Sequence, residues 1–129
     1  MLLSDETQRA LARGRALYNA GHHWDSHEAW EEAWQEEEGE VKLLLQGLIQ
    51  VAAAMHKALV QEQPASCVKL LASALQKLDP LPADAGGLEL GAFREAARRA
   101  QACAEGWSRG TPASFDRGLV PHLRLVGQP

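Results

Sequence analysis

The sequence predicts an all-α fold, a compact array of about five helices closed by an irregular C-terminal arm. Three observations lead there. Ala, Leu, Glu, Gln and Arg are abundant, while β-branched and aromatic residues are few, a balance that favours helix over strand. Apolar residues recur at three- and four-residue spacing in successive segments, separated by Gly and Pro. The stretch from His22 to Glu38 also sorts itself when wound at about 100° per residue. His23, His27, Trp30 and Trp34 then share one side, with Glu31 at its edge, and Glu28, Glu32 and Glu36 point away.

The first helix is expected over 5–19. Ser4 or Asp5 suits its N-cap, and Ala10, Leu11, Gly14, Leu17 and Tyr18 form its inner stripe. Asn19-Ala20-Gly21 stops it, with Gly21 free to take a left-handed conformation. The second helix is expected over 23–38, with Asp25 and Glu28 spaced as a capping box. The third is expected over 40–62. Leu45, Leu48, Ile49, Ala52, His56 and Leu59 lie on one side, and Gln46, Gln50 and Lys57 on another. Gly47 and Ala52-Ala53-Ala54 leave little bulk mid-helix, so a neighbour can approach closely there. The fourth helix, over 65–78, has Pro64 beside its first turn and a stripe of Val68, Leu71, Ala72, Leu75 and Leu78. After a Pro- and Gly-bounded loop, the fifth is expected over 89–105, with Phe93, Ala96, Ala97, Ala100, Ala104 and Trp107 inward and Gly106 ending it. From Ser108 on, Gly110, Pro112, Gly118, Pro121, Gly127 and Pro129 exclude regular structure. The chain therefore divides into a helical domain, 1–107, and an arm, 108–129.

The totals exclude several function classes. Net charge is −4, with the acid concentrated between Asp25 and Glu40, so nucleic acid is not an expected partner. Arg94, Arg98 and Arg99 read as an exposed, solvated face. No apolar run reaches membrane-spanning length, and Met1 to Glu6 lacks the pattern of a signal peptide, so no membrane association and a cytoplasmic location are expected. Cys67 and Cys103, each among small apolar residues, read as buried free thiols.

The chemistry-capable residues gather around the tryptophan-rich stretch. His27 and Glu31, at i and i+4, stand one above the other. The string His27-Glu28-Ala29-Trp30-Glu31 imitates the zinc-protease motif with Glu in place of the second His, so the pair could hold a divalent metal, with Glu28 as base. A hydrogen-bonded His/Glu pair that sets helix register satisfies the same spacing and is the blander reading. His56 lies on the apolar stripe of the third helix. A hinge at Gly39-Glu40 makes the second and third helices antiparallel and puts His27 and His56 at comparable depths, about 18 to 24 Å from it. Gln50 is more level with Glu31 or Trp34. Glu31, beside three aromatics, is expected to be mostly buried and to accept a hydrogen bond from His27, His56 or an indole. Trp24, Trp30 and Trp34 could wall a pocket or fill a core, and burial suits at least one of them.

These residues resemble a known family, the bacterial and archaeal domain of unknown function 309. Its HxxxExxW motif reads here as His27, Glu31 and Trp34, following Asn19-Ala20-Gly21-His22-His23-Trp24. A second signature runs from Gly47 to His56. The resemblance covers roughly residues 10–105, most specifically 17–57, and the arm lies beyond it. It implies an all-helical domain whose His, Glu and Trp belong together, with no settled activity.

Three function classes stay open. One is a pocket of His27, Glu31, Trp34, Gln50, His56, Trp24 and Trp30 that binds a small molecule. The second is a metal-dependent hydrolase with His27, Glu31 and His56 on a divalent ion. The third is a structural or protein-interaction module. The apolar arm, with Leu119, Val120, Leu123, Leu125 and Val126, must be covered, either by its own helices or by a second copy in a homodimer, and the homodimer is the reading favoured here.

Overall fold

The computed structural model describes residues 1–128; Pro129, the last of the expected chain breakers, lies outside them. Five α-helices follow one another: α1 Asp5–Asn19, α2 His23–Trp34, α3 Gly39–Leu59, α4 Pro64–Leu78 and α5 Leu90–Ser108. Short 3-10 turns occupy Ala85–Gly87 and Arg117–Leu119. The fold is all-α, as its composition and periodicity predict.

Each helix packs on its chain neighbours, α1 on α2, α2 on α3, α3 on α4 and α4 on α5. The centre falls to α3, which is apolar almost all round. Leu44, Leu45, Leu48, Val51, Ala52, Ala54 and Met55 are fully buried, because α2 covers one side and α4 another. The small residues act as expected: a Cβ on Gly47 would fall on the Leu78 side chain of α4. On α4 the buried stripe is rotated slightly from expectation. Cys67 and Ala74 are buried with Leu71, Leu75 and Leu78, and Ala72 is exposed.

Local chemistry explains most helix ends. Ser4 caps α1, its hydroxyl accepting from the Thr7 N–H at 3.1 Å. At the other end Gly21 takes φ +90°. The His22 and Gly21 amides donate back to the Leu17 and Tyr18 carbonyls at 2.9 and 3.0 Å, the Schellman arrangement that only a left-handed residue permits cheaply. The α2 helix begins at His23, so the Asp25–Glu28 capping box is not used.

It also ends at Trp34, well short of Glu38, and α3 starts at Gly39, where φ is +64°. The hinge is thus the linker 35–38 rather than a Gly39-Glu40 kink. The acidic run belongs to that linker, and its placement removes an apparent electrostatic conflict. Glu37 accepts from the Thr7 hydroxyl at 2.7 Å, beside the N-terminus of α1. Glu38 occupies the N-cap of α3 and Glu40 its first turn. Carboxylates at helix N-termini are favoured by the macrodipole, whereas at the C-terminus of α2 they would oppose it.

Two further expectations change. The Arg94 guanidinium donates to the Leu78 and Leu81 carbonyls, both at 2.7 Å, and so closes the C-terminal end of α4. Arg98 pairs with Asp79 and with Glu95. These arginines hold α5 on α4 and are not merely a solvated face. Helix α5 passes through Gly106 to Ser108. Cys67 is buried and Cys103 half-buried, both as free thiols. Burial, then the nearby Cys103, pushes the Cys67 thiol up to about 12.

The C-terminal arm folds back over its own helices, which answers what covers it. Phe115 and Leu123 enter the core. Leu125 forms an antiparallel bridge with Leu88, backed by Glu89 N–H to the Arg124 carbonyl at 2.8 Å and Val126 N–H to the Gly87 carbonyl at 2.9 Å. Asn19 grips the Leu123 peptide from both sides: its amide nitrogen donates to the carbonyl at 2.8 Å and its oxygen accepts from the N–H at 3.0 Å. The apolar residues that argued for a second copy are largely used within the chain. Among the described residues no helix is long and apolar enough to cross a membrane.

Candidate functional site

On α2, the 3.6-residue period brings His27, Glu31 and Trp34 to the side facing α3, and α3 answers with Gln46, Ile49 and Gln50. These six side chains line a cleft of about 160 Å³. His27, Glu31, Trp34 and Gln50 meet there, as expected. Gln46 and Ile49 complete it. Gln46 stands one turn before Gln50 on the polar side of α3, so its spacing already marked it.

The cleft is electrostatically incomplete. Trp34 Nε1 and His27 Nδ1 are both buried without a hydrogen-bond partner. His27 Nδ1 lies 3.4 Å from Glu31 Oε2, close enough to form an ion pair when the imidazole is protonated, but the two are not aligned for a hydrogen bond. The Glu31 side chain is 42% exposed, so the expectation that it is mostly buried does not hold; it sits at the mouth. The Lys42 ammonium lies 4.6 Å from the Trp34 ring centroid, over its face. Lys77 of α4 donates to Gln50 Oε1 at 3.0 Å and to Ser73 Oγ at 2.8 Å. That bond fixes the Gln50 amide with its NH2 left to donate.

The remaining candidates separate from the cleft. Trp30 is fully buried and points to α1, where its indole packs on Tyr18 at 5.9 Å between centroids and donates to the Leu11 carbonyl at 3.4 Å. A Cβ on Gly14 would collide with it. Trp30 is therefore core. Trp24, 51% exposed, stacks on His27 at 5.0 Å with a 9° interplanar angle and meets His56 at 5.2 Å. Trp24 thus backs His27 from outside the cleft, and His56 in turn backs Trp24. Glu28 faces the opposite way, lining a surface groove with Arg13, Asp25 and Glu32. It cannot serve as base to His27 and Glu31, because one residue of helix turns it about 100° away. Among the described residues no group of three His, Cys, Asp or Glu gathers closely enough to hold a metal ion, so His56 does not complete a set with His27 and Glu31.

Residues 11–70 match the family model described as Domain of unknown function (DUF309). That match supports the resemblance to DUF309 read from the sequence. The DUF309 match takes in α1 from Leu11, all of α2 and α3, and the first half of α4. It therefore contains every residue of the α2–α3 cleft, and it stops short of α5 and the arm. No curated protein matches the chain.

Proposed function

We propose that this protein binds a small polar molecule in the α2–α3 cleft, with His27, Trp34 and Gln50 as its hydrogen-bonding set. The observation that carries the reading is the pair of stranded nitrogens, His27 Nδ1 and Trp34 Nε1, buried at one opening. A buried polar atom without a partner costs about 1–3 kcal/mol, and native proteins keep few of them. A ligand bearing an acceptor for the indole N–H and a group that pairs with His27 Nδ1 removes that cost, and the Gln50 NH2 donates to it as well. Glu31 at the mouth accepts from a ligand donor, and Ile49 offers one apolar wall. The cleft, at about 160 Å³, is below the range of drug-sized pockets, which points to a ligand of few heavy atoms.

A network whose sole role was packing would satisfy its own polar atoms, and this one leaves two open. The hydrolase reading is weaker, since Glu28 faces another groove and, among the described residues, no third metal ligand joins His27 and Glu31.

Native mass spectrometry of untagged protein, desalted gently, tests the proposal. The expected result is a small organic adduct released on denaturation, lost in Trp34→Phe and Gln50→Leu, and kept in Glu32→Ala. A wild-type chain at its bare mass, together with a Trp34→Phe variant that melts higher than wild type, would sink it. An adduct with the mass of a divalent ion would favour the metal reading instead.

A further inference from the structure

A second cleft, sharing no residue with the first, opens where the turn after α1 meets the C-terminal arm. It holds about 300 Å³, and its walls include Tyr18, His23, Leu59, Val120 and Pro121, with Arg117 and His122 also lining it. Tyr18 and His23 are both more than nine-tenths buried. Their polar atoms, Tyr18 Oη and His23 Nε2, have no hydrogen-bond partner. The two rings are adjacent, 5.0 Å between centroids in an edge-to-face arrangement, so one ligand group can reach both. Buried polar atoms are ordinarily paired, and two orphans on neighbouring side chains of one cleft mark a missing partner.

The charge on the walls sets the class of that partner. Among the described residues Arg117 is the one Lys or Arg on the lining, and no Asp or Glu lines it. Arg117 makes no ion pair among the described residues. Burial first, then the charges of His56 and His22, hold His23 toward its neutral form, so the fixed charge in the cleft is that of one guanidinium. One guanidinium balances a monoanion, and its fork matches the two oxygens of a carboxylate. Leu59, Val120 and Pro121 supply apolar contact for a short carbon chain. Asn19, gripping the Leu123 peptide in both directions, holds the arm so that this wall is preformed.

We propose that the cleft between the α1–α2 turn and the C-terminal arm is a binding site for a short-chain monocarboxylate, anchored by Arg117 and by hydrogen bonds from Tyr18 and His23. In its Nε2–H tautomer the neutral His23 ring donates to one carboxylate oxygen, and the Tyr18 hydroxyl donates to a carboxylate oxygen as well.

The test is titration of the full chain with butyrate through the millimolar range, read from the ring-nitrogen NMR signals of the histidines. The His23 signal should shift saturably. Tyr18→Phe and Arg117→Ala should each weaken binding about tenfold, the loss expected for one charge-assisted hydrogen bond. Tyr18→Phe removes only an unpartnered hydroxyl, so it should fold like the wild type, which circular dichroism and urea unfolding check. Inorganic phosphate at the same concentration should not compete. Shifts that never saturate, or that are equal in wild type and both variants, overturn the proposal. Competition by phosphate as strong as butyrate's overturns the carboxylate assignment. A Tyr18→Phe chain that is more stable than a wild type blind to butyrate shows that nothing but water meets these atoms, and overturns it as well.

Discussion

Trp30 and Trp34 stand one turn apart on α2 and do opposite work. Trp30 is sealed against Gly14 and Tyr18 with its N–H on the Leu11 carbonyl. Trp34 is half-buried, with its N–H unpaired and the Lys42 ammonium over its ring. The difference comes from what each meets, a glycine on α1 in one case and the end of the helix in the other. His23 shows burial acting on a titratable ring. Its pKa is lowered from the ordinary 6.5, chiefly by burial and then by His56 and His22. The unfolded chain therefore takes up the proton more readily than the folded one. Stability from a neutral His23 is fully present above the unfolded pKa of about 6.5 and is lost as pH falls from there through the folded value. Chemical denaturation between pH 7.5 and 5 (a range of about one unit above and more than one below that pKa) should show wild-type stability falling, with a flatter profile in His23→Gln. Parallel profiles would remove His23 as the cause.

At the scale of elements, close approach rests on single positions. Gly14 lies inside α1, where Ala is the better helix former by about 1 kcal/mol. Yet a Cβ there would fall on the body of the Trp30 indole, which is wedged against Tyr18 and cannot swing away. Overpacking of this kind costs about 1–3 kcal/mol and forces the helices apart. We expect the clash to win, with Gly14→Ala less stable than wild type by about 2 kcal/mol in urea unfolding. A stabilised Gly14→Ala would show that propensity outweighs the contact between α1 and α2. The linker 35–38 obeys the same logic of neighbours. Two of its carboxylates are favourably placed, Glu37 beside the N-terminus of α1 and Glu38 at the N-cap of α3.

Across the whole molecule, the arm makes the five helices into one unit. It ties α1 to the loop before α5, through Asn19 on one side and the Leu88–Leu125 bridge on the other. Leu123 is fully buried, so Leu123→Ala should cost about 2–5 kcal/mol. Asn19→Ala leaves the Leu123 peptide unpaired and should cost about 1–3 kcal/mol. Removal of the arm after Gly110 should destabilise at least as much as Leu123→Ala. Equal melting temperatures for the shortened and full chains would show that the arm is not part of the core. The same arm forms one wall of the cleft at Tyr18 and His23, so its loss should abolish butyrate binding even where the helices survive.

Much of this was legible in residue order alone. The helical class, the Ser4 cap, the Gly21 stop and the close approach at Gly47 follow from local chemistry, which acts within a turn or two of its cause. So does the meeting of His27, Glu31, Trp34 and Gln50, because a helix period and a short antiparallel connection suffice to bring them level. Other outcomes depended on partners distant in sequence. Helix α2 stops at Trp34 because Glu37 finds Thr7 and Gly39 turns left-handed. Trp30 leaves the cleft because Gly14 makes room for it, and Arg94 is drawn to the carbonyls at the end of α4. The arm has no period to read, and its place is decided by pairing its peptides with Asn19 and with Gly87 and Glu89. Periodicity tells which residues share a side of a helix. Which polar atoms on that side go without a partner is settled only when every helix and the arm are in place, and on those unpaired atoms both proposed sites rest.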